Sequence, residues 1–158
     1  MSVDTARKSA CATVVSLLLL APGYAQHAQS VEQHIFQAIN QIRQENKLPA
    51  LKWDAKIADA ARSHSRRMAT KRFFSHEDPQ FGGPGNRLSA AGIAWQLCGE
   101  NIFEEYGESD PVQSAVRGWM HSAGHRKNIL TRGFTHTGLG VAIGHDGTYT
   151  ITQMFAAF

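Results

Sequence analysis

The 158-residue chain carries cysteine only at positions 11 and 98, and the first lies in a segment that reads as removable. Arg7 and Lys8 precede a mostly apolar run, ACATVVSLLLLA, and Gly23 and Ala25 supply small residues at its end. That order is the pattern of a secretory signal peptide cut near Ala25, so residues 1–25 are expected to be a signal peptide and 26–158 the folded domain. The run is shorter than the about 20 apolar residues of a membrane helix, so membrane contact is expected only if the segment stays uncleaved. Cys11 lies at the start of the apolar run and not after it, which argues against a lipid-modified cysteine at the cut. Cys98 is then left without a partner in the mature chain. A secreted or periplasmic protein of this kind has no internal disulfide and depends on its apolar core, which about 130 residues can build.

Charge narrows the partners. Removing Arg7, Lys8 and Asp4 with the leader leaves 14 basic against 12 acidic residues, a balance of +2. That is too weak to argue for nucleic acid. Arg62, Arg66, Arg67, Lys71 and Arg72 recur at helical spacing and could touch an anionic surface, but a solvated helix face is the simpler reading. All eight histidines follow the cut, so net charge should climb as pH falls through about 6.5.

Periodicity supplies the elements. In SVEQHIFQAINQIRQENKL, Ser30 and Gln33 form a capping-box pattern, and Val31, Ile35, Ala38, Ile39 and Ile42 recur at helical spacing. The reading is a helix over about 31–46, ended by Pro49. Asp54 can cap a second helix whose stripe is Ile57, Ala61, His64 and Met68; His64 is expected to be a hydrogen-bonded core or boundary residue rather than a ligand. PQFGGPGN is loop, RLSAAG allows a short helical turn, and WQLCGENIFEEY suits a strand. Asp110, Pro111 and Gln113 mark a strong helix start, followed by an apolar stripe of Val112, Ala115, Val116, Trp119 and Met120. Asp146-Gly147 signals a hairpin, with Tyr149, Ile151 and Phe155 on one face of its second strand. This order indicates an α+β domain with helices packed on a small, mostly antiparallel sheet.

His121 and His125 stand four apart in GWMHSAGHRKNIL, a spacing that would stack two ligands on a continuous helix. The stretch lacks the acidic neighbour of the His-Glu-x-x-His motif, and Gly124 reads as a left-handed helix stop. His121 is therefore expected at a partly exposed helix end and His125 just beyond the break.

Four pieces in order, FFSHEDP, GENI, WMHSAGHRKNIL and FTHTGLGVAI followed by TQMF, resemble the CAP superfamily, or SCP domain, in its bacterial exported branch. Its members include cysteine-rich secretory proteins, antigen 5 and plant pathogenesis-related proteins of group 1. The resemblance runs over roughly residues 34–156. It implies a three-layer α-β-α sandwich around the antiparallel sheet. It also implies a cleft that many members line with two histidines and two acidic residues, which in some hold zinc or another divalent metal. Matched position by position, the first histidine falls on His76 in FSH, the first acidic residue on Glu100 in GEN, and the second histidine on His125 in GHR. The second acidic residue, three after the helix tryptophan, falls on Ser122, a departure from the full set.

Two imidazoles and a carboxylate can form a zinc shell with one open position, and such an ion lowers the pKa of its bound water to about 7. A hydrolase would also need a base, and Ser122 cannot serve; Glu104 and Glu105 are candidates that nothing places in the cleft. Without metal, a Glu-His pair can move protons but needs a nucleophile. Ser75 beside His76 has poor geometry, and Cys98 reads more simply as a small hydrophobe. Equally, His76, Glu100 and His125 could hydrogen-bond one another and pin loop to helix. Asn101 is expected to cap backbone groups near the cleft and Gln153 a sheet amide; Trp119 and Phe134 read as core.

Three functions follow. The favoured one is a monomeric exported binding module whose cleft takes a small molecule, lipid or peptide, with a divalent metal such as zinc ordering it. The others are a metal-dependent, peptidase-like hydrolase using His76, Glu100 and His125 as catalytic candidates, and a structural or interaction protein of the cell envelope. The fold alone does not choose among them.

Overall fold

The computed structural model describes residues 22–107 and 110–158; the expected signal peptide lies outside these residues except for its last four. The first helix, α1 (Pro22–Glu45), begins earlier than its periodicity predicts. Ser30 does not cap it, because Ala25, Gln26 and Ala28 favour continuation and Ala28 packs against the core. His27 also ties this extension down, with Nε2 2.9 Å from the Tyr149 hydroxyl. The helix stops before Pro49. Lys47 turns left-handed at φ 57°, and the Leu48 amide reaches back 2.9 Å to the Arg43 carbonyl.

A two-residue strand, β1 (Lys52–Trp53), leads into α2 (Ala55–Lys71), where Asp54 caps as expected: its Oδ1 accepts the Ile57 amide at 2.9 Å. The predicted turn is the short helix α3 (Pro84–Ala90), and the predicted strand is β2 (Leu97–Glu105). Asp110 caps α4 (Pro111–His121) by accepting the Gln113 amide at 3.0 Å. A separate helix, α5 (Ala123–Leu130), follows at once. The chain ends in the hairpin β3 (His136–Ile143) and β4 (Tyr149–Ala157), turned at Gly147 with φ 86°. Asp146 stabilises that turn by accepting the Thr148 amide at 3.0 Å.

The strands form one sheet in the order β1-β3-β4-β2, with β1 parallel to β3 and the other pairs antiparallel. Period-two alternation feeds two cores. Leu139, Val141, Ile151 and Phe155 point to one face, where Ile35 and Ile39 of α1, Trp119 of α4 and Ile129 of α5 bury against them. Met154 and Ala156 point to the other face, against Ile57 and Ala61 of α2 and Leu88 of α3. This is the expected α+β three-layer α-β-α sandwich with a small, mostly antiparallel sheet. Among the described residues, no helix is long and apolar enough to cross a membrane.

The α2 layer lies unusually close to β3. A Cβ added at Gly138 would come 2.1 Å from the Ala58 nitrogen, and one at Gly140 would come 2.1 Å from the Arg62 nitrogen. Ser65 uses the proximity: its hydroxyl donates to the Gly140 carbonyl at 2.9 Å and lies 2.8 Å from the Thr152 hydroxyl. Backbone cannot yield as a side chain can, so Gly140→Ala should cost about 3 kcal/mol or more, near the top of the range for overpacking. Urea unfolding checks this; a loss below about 1 kcal/mol would show that helix and sheet can part there.

Candidate functional site

The site begins in the loop after α2. Arg72 closes that helix in a left-handed conformation, and the chain then folds around Asp78, which is 3% exposed. Asp78 accepts Arg67 through Nε at 2.6 Å and Nη2 at 2.8 Å, and also the amides of Gln80 and Phe81. The Arg67 fork holds the Asp78 carboxyl well below the usual carboxylate range. Arg67 also lies 4.8 Å from the centre of the Phe81 ring. His64, buried in α2 as expected, places Nε2 3.0 Å from the Ser75 carbonyl. The loop is thus gripped on both sides of His76.

The three residues singled out by motif converge. Glu100 lies on β2 with its side chain 1% exposed, and its Oε1 is 2.8 Å from His76 Nδ1. Its Oε2 accepts Nη2 of Arg87, from α3. The same guanidinium donates through Nη1 to the carbonyls of His76, at 2.9 Å, and of Gly82. The His76 side chain stays 48% exposed. Its ring centre lies 6.4 Å from that of His125, the planes inclined at 57°.

His125 arrives by a route the sequence reading did not anticipate. The break is at Ser122, with φ −92° and ψ 122°, and not at Gly124, which sits inside α5 without positive φ. Ser122 in extended backbone ends α4 and starts α5, so His125 lies in the first turn of the new helix. Asn101 fixes that turn by donating to the His125 carbonyl at 3.2 Å, which is the capping role expected of it. Asn128 of α5 donates to the Glu100 carbonyl and to Asn101 Oδ1, each at 2.9 Å. Burial first, and the neighbouring His76 second, push the His125 imidazole below the ordinary histidine range. No hydrogen bond joins its ring nitrogens to the described residues; it meets His76 through the rings. His121 is exposed at the end of α4, with Nδ1 2.7 Å from the Arg117 carbonyl, and is separate from the cluster.

Other candidates lie apart. Glu104 and Glu105 are at the far end of β2, in register with Thr150 and Tyr149. The Ser75 hydroxyl accepts the Glu77 amide at 3.0 Å. Burial raises the Cys98 thiol, and Glu100 raises it further, so a thiolate is disfavoured there. Among the described residues, no three His, Cys, Asp or Glu side chains are placed to hold a metal ion together.

Arg87 and Arg43 were not read from the sequence. Arg87 sits on a seven-residue helix too short for a periodic signal; only its charge amid GNRLSA, beside small and apolar neighbours, marks it. Arg43, 0% exposed, donates to the carbonyls of Pro49, Ile129, Thr131 and Phe134 and so holds the C-terminal end of α5. In α1 it occupies a position between apolar stripe residues, and nothing in the spacing distinguishes it from a solvated arginine. Of the basic run on α2, Arg62 pairs with buried Glu32 at 2.6 Å and Arg67 with Asp78, so two of its five charges are internal.

These burials make stability depend on pH. His64 and His125 both lie below the ordinary value, chiefly through burial. The unfolded chain therefore takes up protons first, so their contribution is fully present above about 6.5 and is lost as pH falls below it. Asp78 acts lower, its contribution being lost only as pH falls below about 3.9. The urea midpoint should drop between pH 7.5 and 5, and drop less in His64→Gln. An equally steep decline in that variant would assign the effect elsewhere.

Comparison with known proteins places this arrangement. Residues 36–155 match the Cysteine-rich secretory protein family, CAP. The uncharacterized Bacillus subtilis protein YkwD is 38% identical over 109 residues, which cover 69% of this chain and 41% of YkwD. The uncharacterized B. subtilis membrane protein YlbC is 37% identical over 110 residues, covering 70% of this chain and 31% of YlbC. The crystal structure of an extracellular SCP-domain protein from Bacillus anthracis str. Ames superposes with a TM-score of 0.75 at 40% identity, covering 88% of this chain and 44% of that one. The chain thus spans less than half the length of each of these relatives. With the family match over three quarters of its residues and the sandwich in place, the chain belongs to the bacterial branch of the cysteine-rich secretory protein (CAP) family.

Proposed function

We propose that this chain is an exported, monomeric binding module whose cleft takes a small molecule, lipid or peptide at His76 and His125, with a divalent metal such as zinc shared by the two imidazoles. The observation that carries this reading is the exposed His76 ring beside His125 with a buried, fully engaged carboxylate behind it. Glu100 as a third metal ligand would have to leave both His76 and Arg87. The donor set that fits is therefore the two imidazoles, with Glu100 holding His76 from behind and the remaining positions open to ligand or solvent. Bound there, the ion would supply a Lewis-acidic contact for a ligand oxygen or nitrogen. His76 would turn its Nε2 to the cleft, and His125, kept neutral by burial, would offer a lone pair at neutral pH.

This reading is favoured over the hydrolase. The engaged state of Glu100 and serine at position 122 leave no free carboxylate to act as base, and the raised Cys98 thiol leaves no activated nucleophile. It is also favoured over a purely structural role, because the His125 ring takes no part in the hydrogen-bonded chain that pins the loop. Export, to the periplasm or the medium, rests on the leader pattern of residues 1–25 and on the extracellular description of the B. anthracis relative.

Zinc added at about 100 times its dissociation constant should stabilise the mature protein by about 2.7 kcal/mol, seen as a rise of several degrees in Tm. The rise should vanish in His76→Ala combined with His125→Ala. No rise in the parent protein, or a rise retained in the double variant, would overturn the metal site.

A further inference from the structure

We propose that the cavity between the end of α2, the far end of β2 and the turn from β3 to β4 is a second binding site, which takes a short apolar peptide carrying both free termini. The site shares no residue with the pair His76 and His125 and does not depend on their reading. The cavity holds about 510 Å³, a volume suited to a small ligand. Buried Met68 with Phe73 and Phe74 gives it an apolar wall, and Phe74 is left 48% exposed. Arg72 lines it from the end of α2, Glu104 from β2 and Asp146 from the turn.

What points to a ligand is that charges of both signs enter one cavity without meeting. Among the described residues, the Arg72 side chain takes no hydrogen bond and no ion pair, from either of these carboxylates or from any other. Glu104 reaches only the Thr150 hydroxyl, at 3.4 Å. Asp146 is seated by accepting the Thr148 amide at 3.0 Å. A Cβ at Gly144 would come within 2.7 Å of the same carboxylate oxygen, so the glycine keeps its seat open. Arg72 also ends α2 in left-handed backbone at φ 56°, a position where glycine is the ordinary residue and a side chain adds strain. The helix end gains nothing from the guanidinium, which supports no other described group, so that side chain answers to the cavity.

A free peptide matches this set. Its carboxylate is the planar two-oxygen partner that a guanidinium fork takes. Its α-ammonium only donates, and Glu104 and Asp146 are acceptors. The side chains between the termini lie against Met68, Phe73 and Phe74 and remove apolar surface from water. A lone amine or a lone carboxylate would satisfy one pole and leave the other unmet.

Calorimetric titration of the mature protein with the dipeptide Leu-Leu, its N-acetyl form and its C-terminal amide tests the site. Leu-Leu should bind about tenfold or more tightly than either blocked form, the scale of one lost charge-assisted contact. Arg72→Gly, which suits the left-handed backbone and so keeps the helix end, should weaken free Leu-Leu by about the same factor. It should leave the amide unaffected, because the amide brings no carboxylate to lose. Glu104→Gln should weaken free Leu-Leu and leave the N-acetyl form unaffected. In the parent, NMR shifts on titration should gather at the amides of Gly144, Thr148 and Thr150. No binding of Leu-Leu at millimolar concentration, equal binding of free and blocked forms, or equal losses of free and amide forms in Arg72→Gly would overturn the proposal. Shifts centred on His76 and His125 would overturn it too, by placing the peptide in the other cleft. The zinc experiment is read separately, since no residue is shared.

Discussion

The close seating of α2 on β3 at Gly138 and Gly140 is the contact from which the rest of the site follows. Because two glycines let backbone approach backbone, α2 is fixed in height and rotation against the sheet. The Ser65 hydroxyl locks that height through the Gly140 carbonyl. Two other residues of the same helix, His64 and Arg67, then reach the following loop at Ser75 and Asp78. The position of His76 is thus inherited from the packing of a helix that contributes no residue to the cleft itself.

Charges are used inside this small domain as struts. Glu32 accepts from Arg62 and from the Val141 amide, Asp78 from Arg67, and Glu100 from Arg87, each carboxylate buried and each arginine reaching it from another segment. Arg43 does the same with carbonyls alone, gathering the end of α5 and the chain after it. Breaking such a pair strands the buried partner, whereas an exposed pair would contribute little. With Cys98 unpaired, these cross-links between segments stand where disulfides could have served.

What could be read in the sequence was whatever repeats or terminates locally. The caps at Asp54 and Asp110, the stripe of α2 and the hairpin at Asp146-Gly147 each rest on neighbours within a few residues, and each formed as read. The three cleft residues were legible through ordered motifs, and the structure brings His76, Glu100 and His125 together. What escaped was long-range or marginal. The extension of α1 to Pro22 depends on packing by Ala28 and on Tyr149, more than a hundred residues away. The break at Ser122 depends on backbone angles that no residue type there demands, while the glycine that suggested a stop was absorbed into a helix. Arg87 and Arg43 look like surface residues until the carbonyls and carboxylate they serve are placed in space.

One feature of β2 reaches beyond the cleft. This nine-residue strand is the outermost of the sheet, paired on one side only with β4. Its outer carbonyls at Glu100 and Ile102 are occupied by the Asn128 amide and by the Trp119 indole N–H, 3.0 Å from the Ile102 oxygen. Side chains from α4 and α5 therefore take two of the hydrogen bonds that a foreign strand would need along this edge, which makes β-addition there unfavourable. The same two helices that deliver His125 thus act as a border for the sheet.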